Sequence, residues 1–519
     1  MEIKTDTQFT RNVKCGDVYT ESFVDYSLPD YLGDVRKILF TEASVRPAGR
    51  FAGGDEVELS GVVIYNVVYL DADSNVASAE FTSDYDYSVK CDGEKYKDSF
   101  ADTRVSNYAI RVVGPRKLSA RASLVGSVRL SEVDSVEVIG NAFEGDEAPE
   151  LNNKTVKIHK TTVSAVNERE FAESIANVDG AIADELKVVY SCAEPVVENV
   201  ELDGGYAVIC GKLRMCALIQ NADEPVYLAE KYIDFEESAQ FENTVEGMRL
   251  VPEVCISSIK TNVTPNETGC NITMSCILEF SAVAESNEPV SLSLDGYLQN
   301  STTENRYEDF RYNELCDVVK NRQVHTAQIS KDEAEQENIS SVLFISATPK
   351  IESIEKASGE ITISGEVKYN GISALESDGS QTYSTLKFSL PFEEKVNVSC
   401  QNCDKMQIFA KISADSATAS VSGDEIVVSC ILHTSVTVCD EKNEKILSAM
   451  SIKEDAEPSK IDGKITVYYP SSEDTLFSVA KKFRTSTAKV ASDNDLTESV
   501  FADDGEYTQL AGVKKLLIY

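Results

Sequence analysis

Tryptophan is absent from this chain of 519 residues, and histidine occurs only three times, as His159, His325 and His433. No two of these histidines have metal-ligand spacing, and no Gly-x-Ser-x-Gly elbow, phosphate loop or zincin helix is present. Basic residues are also scarce: 49 Lys and Arg face 87 Asp and Glu, a net charge of −38. A field of that sign repels phosphate backbones and anionic headgroups, so nucleic acid is not an expected ligand. The stretch Arg111–Arg129, with Arg116, Lys117 and Arg121, is sparse and reads as the wet side of a strand. No run approaches the ~18 apolar residues of a membrane helix, and no apolar core of a signal peptide follows Met1-Glu-Ile-Lys-Thr5. The expectation is a cytoplasmic protein without membrane insertion.

The 13 cysteines are odd in number and scattered, and many lie in apolar strands, as do Cys210, Cys216, Cys276 and Cys430. Buried reduced thiols are the simplest account. Cys400-Gln-Asn-Cys403 lacks the second ligand pair of a zinc site and reads as a loop coincidence. The acidic pairs Asp71/Asp73 and Asp84/Asp86 lack a spaced calcium loop. Carboxylates are so numerous that counting leaves a glycosidase pair open. No catalytic residue, metal or cofactor is expected, and the chain reads as a non-enzyme.

What is present is alternation and repetition. Glu56-Val-Glu-Leu-Ser-Gly61, Tyr206-Ala-Val-Ile-Cys-Gly211 and Glu360-Ile-Thr-Ile-Ser-Gly365 share a pattern, their glycines 150 and then 154 residues apart. Ser275-Cys-Ile-Leu278 recurs as Ser429-Cys-Ile-Leu432, again 154 residues on. The period of two argues antiparallel sheets with one wet face, and a mid-strand glycine argues a bulge or close crossing. Helix-like signals are few. Phe171, Ile175, Val178 and Ile182 are interrupted by Gly180, and Ser330-Lys-Asp-Glu333 is a capping-box word. Both read as connectors, as do the segments around His159 and His325, whereas His433 reads as a structural residue of a strand. The fold expected is mainly β: three tandem antiparallel sandwich- or barrel-like domains at 1–150, 151–321 and 322–457, then a smaller unit at 462–519.

In that last unit Ile465, Val467 and Tyr469 alternate as a strand. Asp474 or Thr475 can cap a helix whose apolar stripe is Leu476, Val479, Ala480 and Phe483. Lys481 and Lys482 suit its C-terminus. Thr485–Thr487 opens a second helix burying Val490 and closed by Asn494 in a left-handed conformation, and Leu516 and Ile518 form the last strand.

The words Glu473-Asp-Thr-Leu-Phe-Ser-Val-Ala-Lys-Lys-Phe483, Asn494-Asp-Leu496 and Gly512-Val-Lys-Lys-Leu-Leu-Ile518 resemble a LysM domain. The resemblance implies a βααβ fold and a binding surface between two loops. Here the site residues would be Glu473, Asp474, Thr475, Leu476, Phe477, Asn494, Asp495, Leu496 and Gly512. LysM domains bind N-acetylglucosamine polymers such as peptidoglycan. Glu473 stands where the family usually has glycine, and the second loop carries Asp503, Asp504 and Glu506, which favours a protein partner. Leu476, Phe477, Val479, Ala480 and Phe483 are expected to form the core or the docking face.

Ser27-Leu-Pro-Asp-Tyr-Leu-Gly-Asp-Val-Arg-Lys-Ile-Leu39 is similar to the opening of SPOCS domains of clostridial spore-coat proteins, with Gly33 in place of a second proline. SPOCS repeats followed by LysM imply a morphogenetic scaffold at the forespore surface in the mother cell, with spore-coat morphogenetic proteins as partners and self-association open. Peptidoglycan binding in wall or cortex is the alternative.

Overall fold

The computed structural model describes residues 5–138, 148–221, 224–244, 247–335, 338–377, 380–400, 406–453, 465–496, 505, 507–510 and 512–519. The protein is mainly β, built from antiparallel pairings throughout. A first set of strands comprises β1 (Thr5–Ser27), β2 (Val35–Gly53), β3 (Glu56–Asp71), β4 (Val76–Lys90), β5 (Tyr96–Gly114) and β6 (Lys117–Val138). These form sheets β1-β6-β5 and β2-β3-β4. A second set comprises β7 (Glu150–Val163), β8 (Asn167–Asp179), β9 (Leu186–Asp203), β10 (Tyr206–Asn221), β11 (Tyr227–Gln240), β12 (Arg249–Pro265) and β13 (Gly269–Tyr297). Its sheets are β11-β10-β9 and β12-β13-β7, with β8 also on β13. A third set comprises β14 (Thr303–Ser330), β15 (Ile339–Ala357), β16 (Glu360–Ser377), β17 (Ser380–Asn397), β18 (Met406–Ser422) and β19 (Glu425–Ile452), in sheets β14-β19-β18 and β15-β16-β17. Strand order is therefore the same in each set, except that β7 and β8 divide the role of one first strand.

Alternation explains why each set has two layers. In the third set Ile361, Ile363 and Val367 of β16 share an apolar cluster with Ile426, Val428 and Leu432 of β19. The first and second sets repeat this with Val57, Val63 and Tyr65 against Leu118 and Leu124, and with Ile209 and Leu213 against Ile272 and Met274. Period-two burial on facing sheets removes one side of each strand from water, at about 25 cal/mol per Å2 of apolar area.

The three spaced glycines occupy the central strands β3, β10 and β16. A Cβ there would lie 2.6 Å from the Arg46 carbonyl oxygen, 2.1 Å from that of Val196 and 2.0 Å from that of Lys350. Opposite each stands an aromatic ring, Tyr85, Phe235 or Phe392. Register shifts sit beside each glycine, as a close crossing requires.

The sets also meet one another. Phe40, Tyr190 and Phe344 come from β2, β9 and β15, with the same spacing as the glycines. Their ring centroids lie 5.2, 5.5 and 5.3 Å apart pairwise, so each ring touches the other two. In each strand the pairing skips the preceding residue, Leu39, Val189 or Leu343, and this bulge turns the aromatic toward the shared centre. A second meeting point lies among the strand ends, where Phe9 and Val136, Ile158 and Leu292, and Ile446 join in one apolar cluster.

Several expectations are corrected. Phe171–Asp179 belongs to β8, because pairing with β13 overrides a stripe that also fits helical spacing. Ser330–Glu333 makes its capping-box hydrogen bonds around a single turn rather than a helix. The break expected between 321 and 322 falls inside β14, which pairs with β19 along its length. His159 and His325 lie in β7 and β14, not in connectors.

Candidate functional site

The C-terminal segment orders as β20 (Thr466–Tyr468), α1 (Leu476–Phe483), α2 (Thr487–Asp493) and β21 (Leu516–Ile518). Thr475 is the N-cap of α1: Ser478 N donates to its Oγ1 at 3.1 Å, and Thr475 N donates to Ser478 Oγ at 3.0 Å. Asp474 instead holds the preceding turn. It accepts from Ser471 N at 2.7 Å, Ser471 Oγ and the Tyr468 hydroxyl, and the Ser471 N–H leads these bonds in drawing its carboxyl below the usual range. Asn494 closes α2 with φ −120°, outside the left-handed region, which Asp495 occupies at φ 53°. The Asn494 amide donates to Val490 O and Leu517 O and accepts from Leu517 N, tying α2 to β21.

The two expected binding loops are adjacent: Leu510 N donates to Asp474 O at 2.8 Å, and Thr475 bridges Gln509. Glu473, Asp495 and Gly512 are exposed, while Asp474, Asn494 and Leu496 are half-buried. Leu476 and Phe477 are buried with Val479 and Ala480. Asp503, Asp504 and Glu506 lie outside the described residues. Ile465, Val467 and Tyr469 form the outward face of β20 and its flanks, whereas Tyr468 turns inward onto Phe483.

Phe477 packs on a ring outside this segment. Tyr297, the last residue of β13, meets Phe477 edge-on with centroids 5.3 Å apart, and its hydroxyl donates to Thr485 O at 2.7 Å. Burial pushes that hydroxyl's pKa well up. Lys481 Nζ donates to Asp295 Oδ1 at 2.7 Å, and Thr487 Oγ1 donates to Glu150 Oε2 at 3.0 Å. Arg484 Nη2 donates to Thr302 Oγ1 at 2.7 Å. The segment is thus seated on the ends of β7 and β13 and the start of the third set.

The chemistry-bearing side chains elsewhere are locked into packing. Glu285 accepts from His159 Nε2 at 2.8 Å, Thr161 Oγ1 at 2.6 Å and Arg129 Nη1 at 2.6 Å. Burial works to raise the Glu285 carboxyl, but His159, Arg129 and Thr161 outweigh it and hold it at about 2. His159 Nδ1 lies 3.2 Å from Cys439 Sγ, and burial pushes that thiol up, away from nucleophile chemistry. Arg129 stands over Phe100 and Phe409. Sequence reading missed this cluster because its members come from β6, β7, β13 and β19. His325 stacks on Tyr369, and its Nδ1 lies 2.9 Å from the Tyr369 hydroxyl. Arg116 binds the carbonyls of Leu32 and Pro29, and Lys117 pairs with Asp25. Asp71 closes the β3–β4 turn by accepting from Asn75 N.

Two cysteines depart from the reduced state expected: Cys192 and Cys216, direct partners on β9 and β10, form a disulfide. Cys276, Cys400 and Cys430 are buried free thiols, Cys210 is a half-buried one, and Cys403 lies outside the described residues. Among the described residues no group of three or more His, Cys, Asp or Glu could hold a metal ion, and no helix is long and apolar enough to cross a membrane. Comparison with known proteins finds no family model that matches the chain and no matching curated protein.

Proposed function

We propose that the protein is a non-enzymatic scaffold: three tandem SPOCS-like β-sandwich domains carrying a LysM-like module, working in spore-coat assembly. The observation that carries this reading is the repeated strand order closing on the Phe40–Tyr190–Phe344 contact, with the C-terminal module held against the body at Tyr297. A rigid platform with several separate outer faces suits an assembly protein. In this reading the module docks a coat morphogenetic protein at the forespore surface through Glu473, Asp495 and the other exposed loop groups. Phe477 is excluded from direct contact because it is committed to Tyr297 and Tyr507.

Affinity capture from sporulating cells tests it, with the full chain and a chain lacking residues 465–519. Coat proteins should co-purify with the full chain and be lost with the deletion. Retention of the full chain on purified peptidoglycan, with no coat protein captured, would move the reading to glycan binding.

A further inference from the structure

The cleft between the second and third sets carries charge that nothing in the fold uses. It encloses about 490 Å3, within the range of small-molecule sites. One wall is a face of sheet β14-β19-β18. Even-numbered residues of β19, such as Cys430 and Leu432, point into the core, so His433 and Ser435 point out. Cross-strand pairing sets two rows on that face: Lys320, Ser435 and Lys411, then Arg322, His433 and Ser413. The opposite wall is apolar in part, with Pro195, Val197, Val251 and Val254.

Three of the four acids lining the cleft face a cation, and Glu194 shares its own with Glu230. Glu194 accepts from Arg214 at 3.3 Å and Glu198 from Lys212 at 3.1 Å. Glu253 pairs with Lys411 at 2.5 Å, and Asp415 Oδ2 lies 2.6 Å from the His433 ring. Lys320 and Arg322 remain, both exposed at the cleft, and neither side chain has a hydrogen-bond or ion-pair partner among the described residues. The contrast with Lys411 is informative. Burial also works to lower the Lys411 pKa, but Glu253 reverses it upward, whereas burial lowers that of Lys320 with no carboxylate opposing. The corresponding cleft between the first and second sets, about 520 Å3, carries Glu42, Glu80 and Glu279, and its Arg46 is engaged on the Ser257 carbonyl. The pair Lys320 and Arg322 thus has no counterpart in that cleft. In a chain of net charge −38 two neighbouring cations without a carboxylate are a local feature, and at contact distance they outweigh the screened distant charges.

We infer that this cleft is a binding site for a small organic anion, its carboxylate or phosphate held by Lys320 and Arg322 and its apolar part against Val197, Val251 and Val254. Arg322 supplies a planar fork for two oxygens, and Lys320 a point charge beside it.

Isothermal titration of the full-length protein at low ionic strength tests the site with benzoate, phenyl phosphate and neutral benzyl alcohol. At least one anion should bind with a Kd at or below ~1 mM, a free energy of about −4 kcal/mol. Lys320→Gln/Arg322→Gln should weaken it at least tenfold, while Lys231→Gln, on a surface pair with Glu173, should leave it unchanged. Lys320→Gln alone should give an intermediate loss. Whichever of benzoate and phenyl phosphate binds more tightly identifies the headgroup. Equal binding of benzyl alcohol, no binding of either anion, or full binding by the double variant would overturn the proposal.

Discussion

Among the places where the three strand sets meet, two are built from opposite materials. At one, Phe40, Tyr190 and Phe344 pack ring on ring, with Leu39, Val68 and Leu218 fully buried around them. At the other, Glu285 and His159, 1% and 2% exposed, meet Arg129 and Cys439. The aromatic centre repeats the same position in each set. The polar centre repeats a position only in part: Glu285 and Cys439 are 154 residues apart but differ in chemistry, and the guanidinium of Arg129 comes from the remaining set at another position. An apolar contact is non-directional and tolerates repetition. A buried ion cluster needs one acceptor placed among several donors, so it breaks the symmetry and allows only one arrangement of the sets.

The largest expected effect is at the aromatic centre. Phe40→Ala removes a fully buried ring and leaves a cavity bounded by two others, at a cost of about 3–5 kcal/mol. Urea denaturation at pH 7, where the Tyr190 hydroxyl is held by the Glu42 carboxylate, should show that loss. Combining Phe40→Ala with Phe344→Ala should cost less than the sum, because the second ring has already lost its partner. Strict additivity would mean that the rings do not act as one contact.

How much of this was legible follows from which interactions are local. Gly61, Gly211 and Gly365 announced the repeat and its close crossing, because a strand's need for a missing Cβ is written at one position. The aromatic triad shares that spacing, yet nothing local says that the three rings converge; that needs the bulges at Leu39, Val189 and Leu343. Phe171, Ile175 and Val178 fit a helical period, and only β13 alongside them decides for a strand. Asp474 and Thr475 were both acceptable caps, and the Tyr468 and Ser471 bonds assign Asp474 to the turn. The Glu285 cluster was invisible: Cys439 stands 154 residues beyond Glu285, at the repeat spacing, but Arg129 and His159 share no spacing rule with them. The Cys192–Cys216 bond likewise depends on cross-strand register. That Lys320 and Arg322 lack a carboxylate becomes apparent only when the ion pairs around them have been assigned.

The polar centre should respond to acid through a carboxylate that is itself the hub of the contact. Glu285→Gln keeps the shape but gives up the charge facing Arg129 and His159, costing about 1.5–3 kcal/mol at pH 7. The folded protein holds this carboxyl at about 2, below its ordinary 4.5. A lowered value means that the folded state favours the ionised form. The stabilisation is therefore complete above pH 4.5 and is lost as pH falls toward 2. The difference between wild type and Glu285→Gln, read by urea denaturation at each pH, should shrink over that window. A difference that stays constant from pH 7 to 3 would show that Glu285 acts by packing alone, and the contrast between the centres would fail.

The seat of the C-terminal module joins both materials in one contact, which makes it the finest test of how they differ. Tyr297 offers a ring to Phe477 and a hydroxyl to the Thr485 carbonyl. Tyr297→Phe keeps the ring and deletes only the polar half. Because the Thr485 carbonyl loses its donor at a half-buried position, the expected cost is about 1 kcal/mol. Hydrogen exchange of the α1 and α2 amides reads it locally. Exchange there should quicken about fivefold while β16 and β19 stay unchanged, as expected if the module opens separately from the three strand sets. Equal acceleration in β16 would mean that the module and the body unfold together. In that case Tyr297 would be a further centre of the same cooperative structure, and the contrast between the centres around Phe40 and Glu285 would not suffice to describe how the chain is held.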